Sequence, residues 1–455
     1  MDMQTTARSE RSGGTPRVLT VLPDFPFPAI TGLHLRHLSN LDLVHRLGCY
    51  SALLYFTTEE RDPTPQQAQN RPLLGAPEPP LKSTPLARIC DEVHHGGKRF
   101  PHANFSTASL IARKLDFLAR GALSLPGKYY PFSMSYDRIG AQEIVLDHAQ
   151  RVQADFVVMA SMFMHYSAAL RQHGFKTIID AADVLTNLSA SFMANLRGRA
   201  GRIGLLANYL ACRSQERIFL RKCSELWATS DAEAEQFRRF APGVRVLVVP
   251  NCLDEAAIRP AAAPMKPVIG FIGTYSYTPN LTAALFLAEQ VFPRVAHSVP
   301  DAVLRLAGAN MPPAERARLS ALPGVELLGR VEDSGAFVNE CAVLALPVFL
   351  RGGVPLKLIE AMARGKAIVA TPELVAGLDL VDRREVMVRG NPEDFAAAIV
   401  SLLEDRHARE QLGANARACF ARDFSISSVE SRLRRDSVLM ARRADVARDT
   451  DTALV

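Results

Sequence analysis

Short apolar runs alternate with amphipathic segments along the first half of the chain. The runs predict strands, which we assign to 17–25, 51–56, 154–160, 176–180, 225–228 and 245–249. Most segments between them have helical spacing, and the first predicted helix covers about 33–47. Strands that alternate with helices in this way predict a parallel, doubly wound α/β sheet.

The second half repeats this alternation. Apolar runs end at Gly308 and Gly329, and a further strand is predicted over 341–349. A Gly-rich turn follows, then a short helix that begins at Pro355 and a strand that begins near Ala367. This order predicts a second parallel sheet.

Length and breaks in the pattern divide the chain. At 455 residues it is long enough for two domains. Six prolines within 61–83 predict an extended surface loop, and the run RPAAAP at 259–264 predicts the interdomain linker. We expect a disordered lead over 1–15, a first domain over 16–255, a second over 256–424, and a segment over 425–455 that packs back on the first.

The turn before the predicted helix at Pro355 has the chemistry of an anion site. Gly352 and Gly353 allow a ligand to approach the backbone, and the helix N-terminus presents unpaired amides. Lys357 lies in the first helical turn, and Glu360 follows three residues later on the same face. A lysine suits a diphosphate and a carboxylate can accept hydrogen bonds from a ribose, so the pattern indicates a nucleotide-diphosphate site.

These residues resemble the nucleotide-sugar motif of the retaining family 4 glycosyltransferases, which have the two-domain GT-B fold. The chain retains the second motif glutamate as Glu360, followed by Ala361, Met362, Ala363 and Gly365. The first motif glutamate, which holds donor sugar hydroxyls in that family, is replaced by Gly352. The resemblance covers 245–425 well and the first half only loosely.

A second family element lies at 268–280. Relatives carry an Arg/Lys pair for the diphosphate where this chain has Thr274 and Pro279, and its own pattern is similar to a branch found among bacterial polysaccharide transferases. The resemblance implies that Lys357, with Arg351, supplies the missing charge. The donor-binding residues it implies are Gly273, Thr274, Asn280, Gly308, Arg330, Arg351, Gly352, Gly353, Val354, Pro355 and Leu356.

The acceptor side is expected in the first half, near the carboxyl ends of its strands. Gly32 and Arg36 belong to the first strand-loop-helix unit, where a plain turn is the alternative. His165 follows the strand at 154–160, and in several relatives a histidine in this region lies near the transferred sugar; a structural role is the alternative. Asp180 and Asp183 end the next strand, where they would meet acceptor hydroxyls or cap the following segment.

Composition indicates an ordinary soluble globular protein, with 48% hydrophobic and 22% charged residues. The seven cysteines form no C-x-x-C pair, so free thiols are expected and structural zinc is not. No apolar run reaches the length of a membrane span, and the polar N-terminus lacks a signal-peptide core. A cytoplasmic location is expected, with contact to the inner face of the membrane as an open alternative.

The net charge of +6 is concentrated in two stretches. Residues 196–222 carry seven basic side chains against one acid, and residues 98–128 carry six against one, both with interleaved apolar positions. They indicate either ordinary amphipathic helices with a solvated face or peripheral contact with an anionic membrane. Nucleic acid is not expected as a partner, because no aromatic or helix-turn-helix pattern accompanies the charge.

The sequence therefore leads to one main hypothesis and two rivals. The main one is retaining sugar transfer from a nucleoside diphosphate sugar to a glycan or lipid-linked acceptor, with Lys357, Glu360 and His165 as catalytic residues. No Asp-x-Asp pair follows the first-half strands, so no cofactor and no obligatory metal are expected. The rivals are a nucleotide-sugar epimerase or hydrolase and a degenerate transferase that serves as a scaffold or binding subunit.

Overall fold

The computed structural model describes residues 15–27, 32–58, 84–99, 136, 139–187, 199–258, 264, 266–349 and 354–440. In the first half, seven strands form one parallel sheet in the order β3-β2-β1-β4-β5-β6-β7. The strands are β1 Arg17–Leu22, β2 Tyr50–Thr58, β3 Glu92–Arg99, β4 Phe156–Ala160, β5 Lys176–Ala181, β6 Glu225–Ala228 and β7 Arg245–Val248.

Helices cover both faces of this sheet, so its central strands are buried and their sequences are continuous apolar runs. The helices are α1 Gly32–Arg46, α2 Leu86–Ile89, α3 Ala141–Arg151, α4 Ser167–Gln172, α5 Arg199–Phe219 and α6 Asp231–Phe240. A 3₁₀ segment, Ser161–Tyr166, joins β4 to α4. The predicted disordered lead and the proline-rich loop lie outside the described residues, apart from position 15 of the lead.

The second half forms a six-stranded parallel sheet in the order β10-β9-β8-β11-β12-β13. Its strands are β8 Val268–Ile272, β9 Val303–Ala307, β10 Val325–Gly329, β11 Val343–Leu346, β12 Ala367–Ala370 and β13 Met387–Val388. The prediction of a strand through residue 349 was wrong, because β11 ends at Leu346. Pro347 has no amide for the ladder, and the amide of Val348 turns back to the carbonyl of Leu346 at 3.0 Å.

The helices of this half, except the last, surround the second sheet, and a π-helical turn, Phe286–Val291, joins the first two of them. They are α7 Thr278–Leu285, α8 Phe292–Ser298, α9 Pro313–Ser320, α10 Ser334–Glu340, α11 Leu356–Ala363, α12 Pro372–Val375, α13 Pro392–Glu404, α14 Arg406–Asp423 and α15 Ile426–Asp436.

Helix α15 packs on the first sheet, although it follows the second sheet in the chain. Its residues Val429 and Leu433 belong to the same buried cluster as Val18 and Trp227. The carboxylate of Glu225 fixes the end of this segment, because it accepts the Ser437 hydroxyl at 2.7 Å and the Val438 amide at 2.8 Å. The chain thus returns to its first sheet.

In each sheet the order of the strands reverses at one point, the topological switch point. In the first sheet β1 lies between β2 and β4, and in the second sheet β8 lies between β9 and β11. The loops that leave the carboxyl ends of the adjacent strands, β1 and β4 in the first sheet and β8 and β11 in the second, run in opposite directions and open a crevice for ligands. The predicted α/β architecture of two parallel sheets is confirmed, and the switch points identify where to look for a site.

Candidate functional site

Helix α11 begins beside the switch point of the second sheet. Its N-cap is Pro355, whose side chain has no hydrogen-bonding group and leaves the first helical amides uncapped. The preceding Val354 carbonyl accepts a 2.6 Å hydrogen bond from the Asn251 side chain. This helix end can therefore present amides and a positive dipole to an anion. Arg351, Gly352 and Gly353, which were predicted to line it, lie outside the described residues.

Lys357 reaches from the first turn of α11 to β8 and to the first turn of α7. Its ammonium donates to Asn280 Oδ1 at 2.7 Å and lies 4.4 Å from the centre of the Phe271 ring. Burial lowers the pKa of this amine to about 7, because the surroundings disfavour its charged form. Among the described residues no carboxylate pairs with it. The lysine can therefore take up an anionic ligand and a proton together.

Two of the predicted glycines bring the loops after β8 and β9 close together. A Cβ at Gly308 would lie 1.8 Å from the Gly273 carbonyl oxygen, and φ at Gly308 is +140°. A Cβ at Gly273 would lie 2.7 Å from Cγ of Asn280. Asn280 also donates to the Thr274 carbonyl at 3.0 Å, so these residues form the floor under Lys357.

Glu360 turns from α11 to a different neighbour. Its carboxylate accepts the Ser334 hydroxyl at 3.0 and 3.2 Å and approaches Arg364 at 3.4 Å. The guanidinium of Arg364 in turn covers Gly335, where a Cβ would lie 1.8 Å from Nη2. Lys357 and Glu360 thus flank the helix end without a bond between them, and Glu360 is oriented by two residues that sequence reasoning missed.

Two of the predicted donor residues differ in their setting. Leu356 lies against the first domain, since a Cβ at Gly32 would be 3.4 Å from its Cδ1. Arg330 follows β10 and is exposed, and within the described part of the chain it has no hydrogen bond or ion pair to Lys357 or Glu360. The structure therefore brings Gly273, Thr274, Asn280 and Gly308 together under Lys357, and leaves Arg330 apart.

Arg36 and Asp180, predicted on the acceptor side, bond to each other. The guanidinium donates to Asp180 Oδ1 at 2.5 and 2.9 Å, and Asn40 donates to the other carboxylate oxygen at 2.8 Å. Arg36 continues to Asn251 Oδ1 at 3.1 Å, and Asn251 holds the Val354 carbonyl. The side chains of Arg36 and Asp180 are 2% and 5% exposed, so this buried network ties α1 to the start of α11.

His165 and Asp183 follow two neighbouring strands of the first sheet, β4 and β5. The ring of His165 is buried in the 3₁₀ segment, 4.2 Å from the Tyr166 ring and 6.0 Å from the Phe219 ring. Asp183 follows β5, and its charge adds to the rise that burial causes in the pKa of Tyr277. Asp183 and Gly32 therefore face residues of the second domain, whereas His165 packs among aromatic side chains.

Two further features concern metals and membranes. Within the described ranges, no group of three or more His, Cys, Asp or Glu side chains has the geometry of a metal site. In the same residues no helix is long and apolar enough to cross a bilayer. The basic stretch at 196–222 contains α5, as its spacing indicated, while most of the stretch at 98–128 lies outside the described residues.

Comparison with known proteins finds a family model that matches part of the second half of the chain. Residues 266–405 match the family model described as "Glycosyl transferases group 1". This region contains the helix α11 site, so Lys357 and Glu360 lie within the matched residues. The search of curated proteins finds no match.

Solved structures share the fold over nearly the whole chain. HepE from Anabaena in complex with UDP is 13% identical, with a TM-score of 0.60 over 92% of this chain and 98% of its own. Sucrose-phosphate synthase from Thermosynechococcus elongatus is 14% identical, with a TM-score of 0.60 over 96% of this chain and 100% of its own. WaaG, a glycosyltransferase involved in lipopolysaccharide biosynthesis, is 14% identical, with a TM-score of 0.59 over 93% of this chain and 100% of its own. At these identities the comparison establishes the fold of two Rossmann-like domains.

Proposed function

We propose that this chain, which has the GT-B fold and a group 1 glycosyltransferase domain in its second half, transfers a sugar from a nucleoside diphosphate sugar to an acceptor held by its first domain. The observation that supports this most is Lys357, an amine with a lowered pKa at an uncapped helix N-terminus. Neither feature stabilises the fold by itself, whereas both stabilise a bound diphosphate.

The donor would bind along α11. Its diphosphate would face the first amides of the helix and Lys357, and its ribose hydroxyls would donate to Glu360. A carboxylate has about four acceptor positions, so Glu360 retains capacity for a ribose while it accepts from Ser334 and Arg364. The HepE structures contain UDP and UDP-glucose, which makes uridine nucleotides the first candidates for the donor.

Catalysis would depend on stabilising the diphosphate as it leaves. Negative charge develops on it as the glycosidic bond breaks, and the helix dipole and Lys357 would stabilise that charge. The acceptor would approach from the first domain, past the loops after β1 and β5. By the family resemblance the transfer retains the configuration of the sugar, and the acceptor is a glycan or a lipid-linked sugar of a cell-surface polysaccharide pathway.

A non-enzymatic scaffold is the alternative that one observation favours. Gly352 stands where relatives have a carboxylate for the donor sugar, and Thr274 and Pro279 stand where they have the basic pair. The structure gives Thr274 a backbone role, as the carbonyl partner of Asn280. A scaffold of this kind would bind the nucleotide without breaking the sugar bond.

A thermal-shift screen tests the donor site. The purified protein is heated with UDP, GDP, ADP or TDP and with their common sugar conjugates. Stabilisation by one nucleotide family, absent in Lys357→Met, is the expected result. The absence of a shift with every nucleotide would refute the proposed donor site, and a shift without release of nucleoside diphosphate would favour the scaffold.

A further inference from the structure

Asn251 lies where the chain passes between the two domains. It follows the end of β7 by three residues, and the nearby Leu253 pairs with Ser425, which joins α14 to α15. The Leu253 amide donates to the Phe424 carbonyl at 3.2 Å, and the Ile426 amide donates to the Leu253 carbonyl at 3.0 Å. The outgoing and returning segments are thus bonded to each other, and this fixes the backbone beside Asn251.

The side-chain amide of Asn251 is held in one orientation. Its Oδ1 accepts from Arg36 Nη1 at 3.1 Å, and its Nδ2 donates to the Val354 carbonyl at 2.6 Å. A guanidinium has no acceptor and a carbonyl has no donor, so a reversed amide would lose both bonds. Arg36 is in turn held by Asp180 in the core of the first domain. The first domain therefore determines where the amide of Asn251 points.

The bond to Val354 bears on the start of α11 because of the proline that follows. Pro355 has no amide hydrogen, so the Val354 carbonyl is the only hydrogen-bonding group of the peptide that joins these two residues. The ring of Pro355 restricts its φ, which is −68°. The plane of this peptide is therefore coupled to the first turn of α11, and to Lys357 within it, through one freely rotating dihedral.

We propose that Asn251 is a positioning residue for the diphosphate: by holding the Val354 carbonyl it fixes the start of α11 in the orientation that receives the ligand. The inference rests on the proposed donor site and adds a residue of the first domain to it. Dipoles that are fixed in advance need no reorganisation when a charge arrives, so an anchored helix end binds an anion more tightly than a mobile one. The affinity of the donor site then depends on the first domain.

Two substitutions separate the two bonds of Asn251. Asn251→Asp retains an acceptor for Arg36 and loses the donor to Val354, whereas Asn251→Ala loses both. Arg36 Nη1 also donates to the Val249 carbonyl at 3.0 Å, so neither variant leaves the guanidinium without a partner. Calorimetry of the whole protein at pH 6 measures the binding of UDP and of pyrophosphate. Both variants should weaken both ligands by roughly tenfold, the loss expected for one hydrogen bond.

Ser39→Ala is the matched control. Ser39 lies on α1, and its hydroxyl donates at 3.0 Å to the carbonyl of Cys252, the neighbour of Asn251. Within the described part of the chain, this side chain has no hydrogen bond to α11. The control removes a bond between the same helix and the same segment, and should bind both ligands as the wild type does. Urea denaturation shows whether each variant is folded.

Hydrogen exchange in the free protein supplies a readout that needs no ligand. The amides of Leu358 and Ile359 donate to the Pro355 carbonyl at 3.0 and 3.4 Å in the first turn of α11. They should exchange faster in Asn251→Asp than in the wild type, because the turn is no longer anchored. Ser39→Ala should leave their exchange unchanged.

Several outcomes would overturn the inference. A loss of affinity in Asn251→Ala alone would assign the effect to the Arg36 bond. Equal affinity of the wild type and both variants, or weaker binding of UDP with pyrophosphate unaffected, would show that the helix end is not positioned by Asn251. Unchanged exchange in Asn251→Asp would overturn the inference whether or not a nucleotide binds. A wild type that binds neither ligand would refute the proposed donor site instead.

Discussion

The pH dependence of donor binding follows from the setting of Lys357. Its pKa is lowered to about 7 in the empty site, so the amine is protonated below that pH and neutral above it. A bound diphosphate favours the protonated form and raises the pKa again. The affinity for the diphosphate is therefore highest at pH values below 7 and falls as the pH rises through the pKa of Lys357 in the empty site.

The size of the loss of affinity follows from the pKa of Lys357. At pH 9 about one molecule in 100 with an empty site retains the proton, so the affinity should fall by roughly 100-fold from its low-pH plateau, or about 2.7 kcal/mol. This holds while the pKa of the complex stays above 9. UDP-glucose is a suitable ligand, because its diphosphate diester does not titrate in this range.

Isothermal titration calorimetry from pH 6 to pH 9, in two buffers of different ionisation enthalpy, measures both the affinity and the proton uptake. Lys357→Met should bind weakly with little pH dependence, and Lys357→Arg should retain charge without the change near pH 7. A wild-type affinity that is flat over this range, or a Met variant with the same slope, would refute the role of the lysine.

Three further variants test the remaining contacts. Glu360→Gln should weaken the binding of UDP by roughly 10- to 100-fold and leave the binding of pyrophosphate unchanged, since pyrophosphate has no ribose. Calorimetry with both ligands measures this, and equal losses of affinity would contradict it. Asp180→Ala leaves the buried Arg36 guanidinium without its counter-charge and should lower the free energy of unfolding by about 3 to 5 kcal/mol. In urea denaturation, a loss below about 1 kcal/mol would show that the pair contributes little. Glu225→Ala removes the acceptor of the Ser437 hydroxyl and the Val438 amide. It should lower the free energy of unfolding by about 2 to 3 kcal/mol and expose the end of α15 to limited proteolysis. Unchanged protease resistance would refute this.

The sequence predicted the strands that are buried on both faces, because such strands are continuous apolar runs. It missed β3, whose residues include Glu92, His94, His95 and Lys98, because an edge strand pairs on one side only and needs no apolar run. It also predicted α11 and the placement of Lys357 and Glu360, since these depend on local helical spacing. Their partners depend on the fold.

Contacts between residues that are far apart in the chain could not be predicted from the sequence. Arg36 and Asp180 are 144 residues apart, and Asn251 and Val354 are 103 residues apart. Arg36 was predicted on the acceptor side, and Asp180 was predicted to meet acceptor hydroxyls or to cap the following segment, yet the structure pairs them with each other in the core. Residue type and spacing do not reveal this, because a buried ion pair and a ligand site use the same side chains.

The most direct test of the account is release of nucleoside diphosphate from a sugar donor. The protein is incubated with UDP-glucose and with other nucleoside diphosphate sugars, alone and with glycan or lipid-linked sugar acceptors, and the products are separated by ion-exchange chromatography. The account predicts time-dependent release of one nucleoside diphosphate by the wild type, reduced by orders of magnitude in Lys357→Met. Release that is equal in wild type and variant, or no release from any donor, would contradict it.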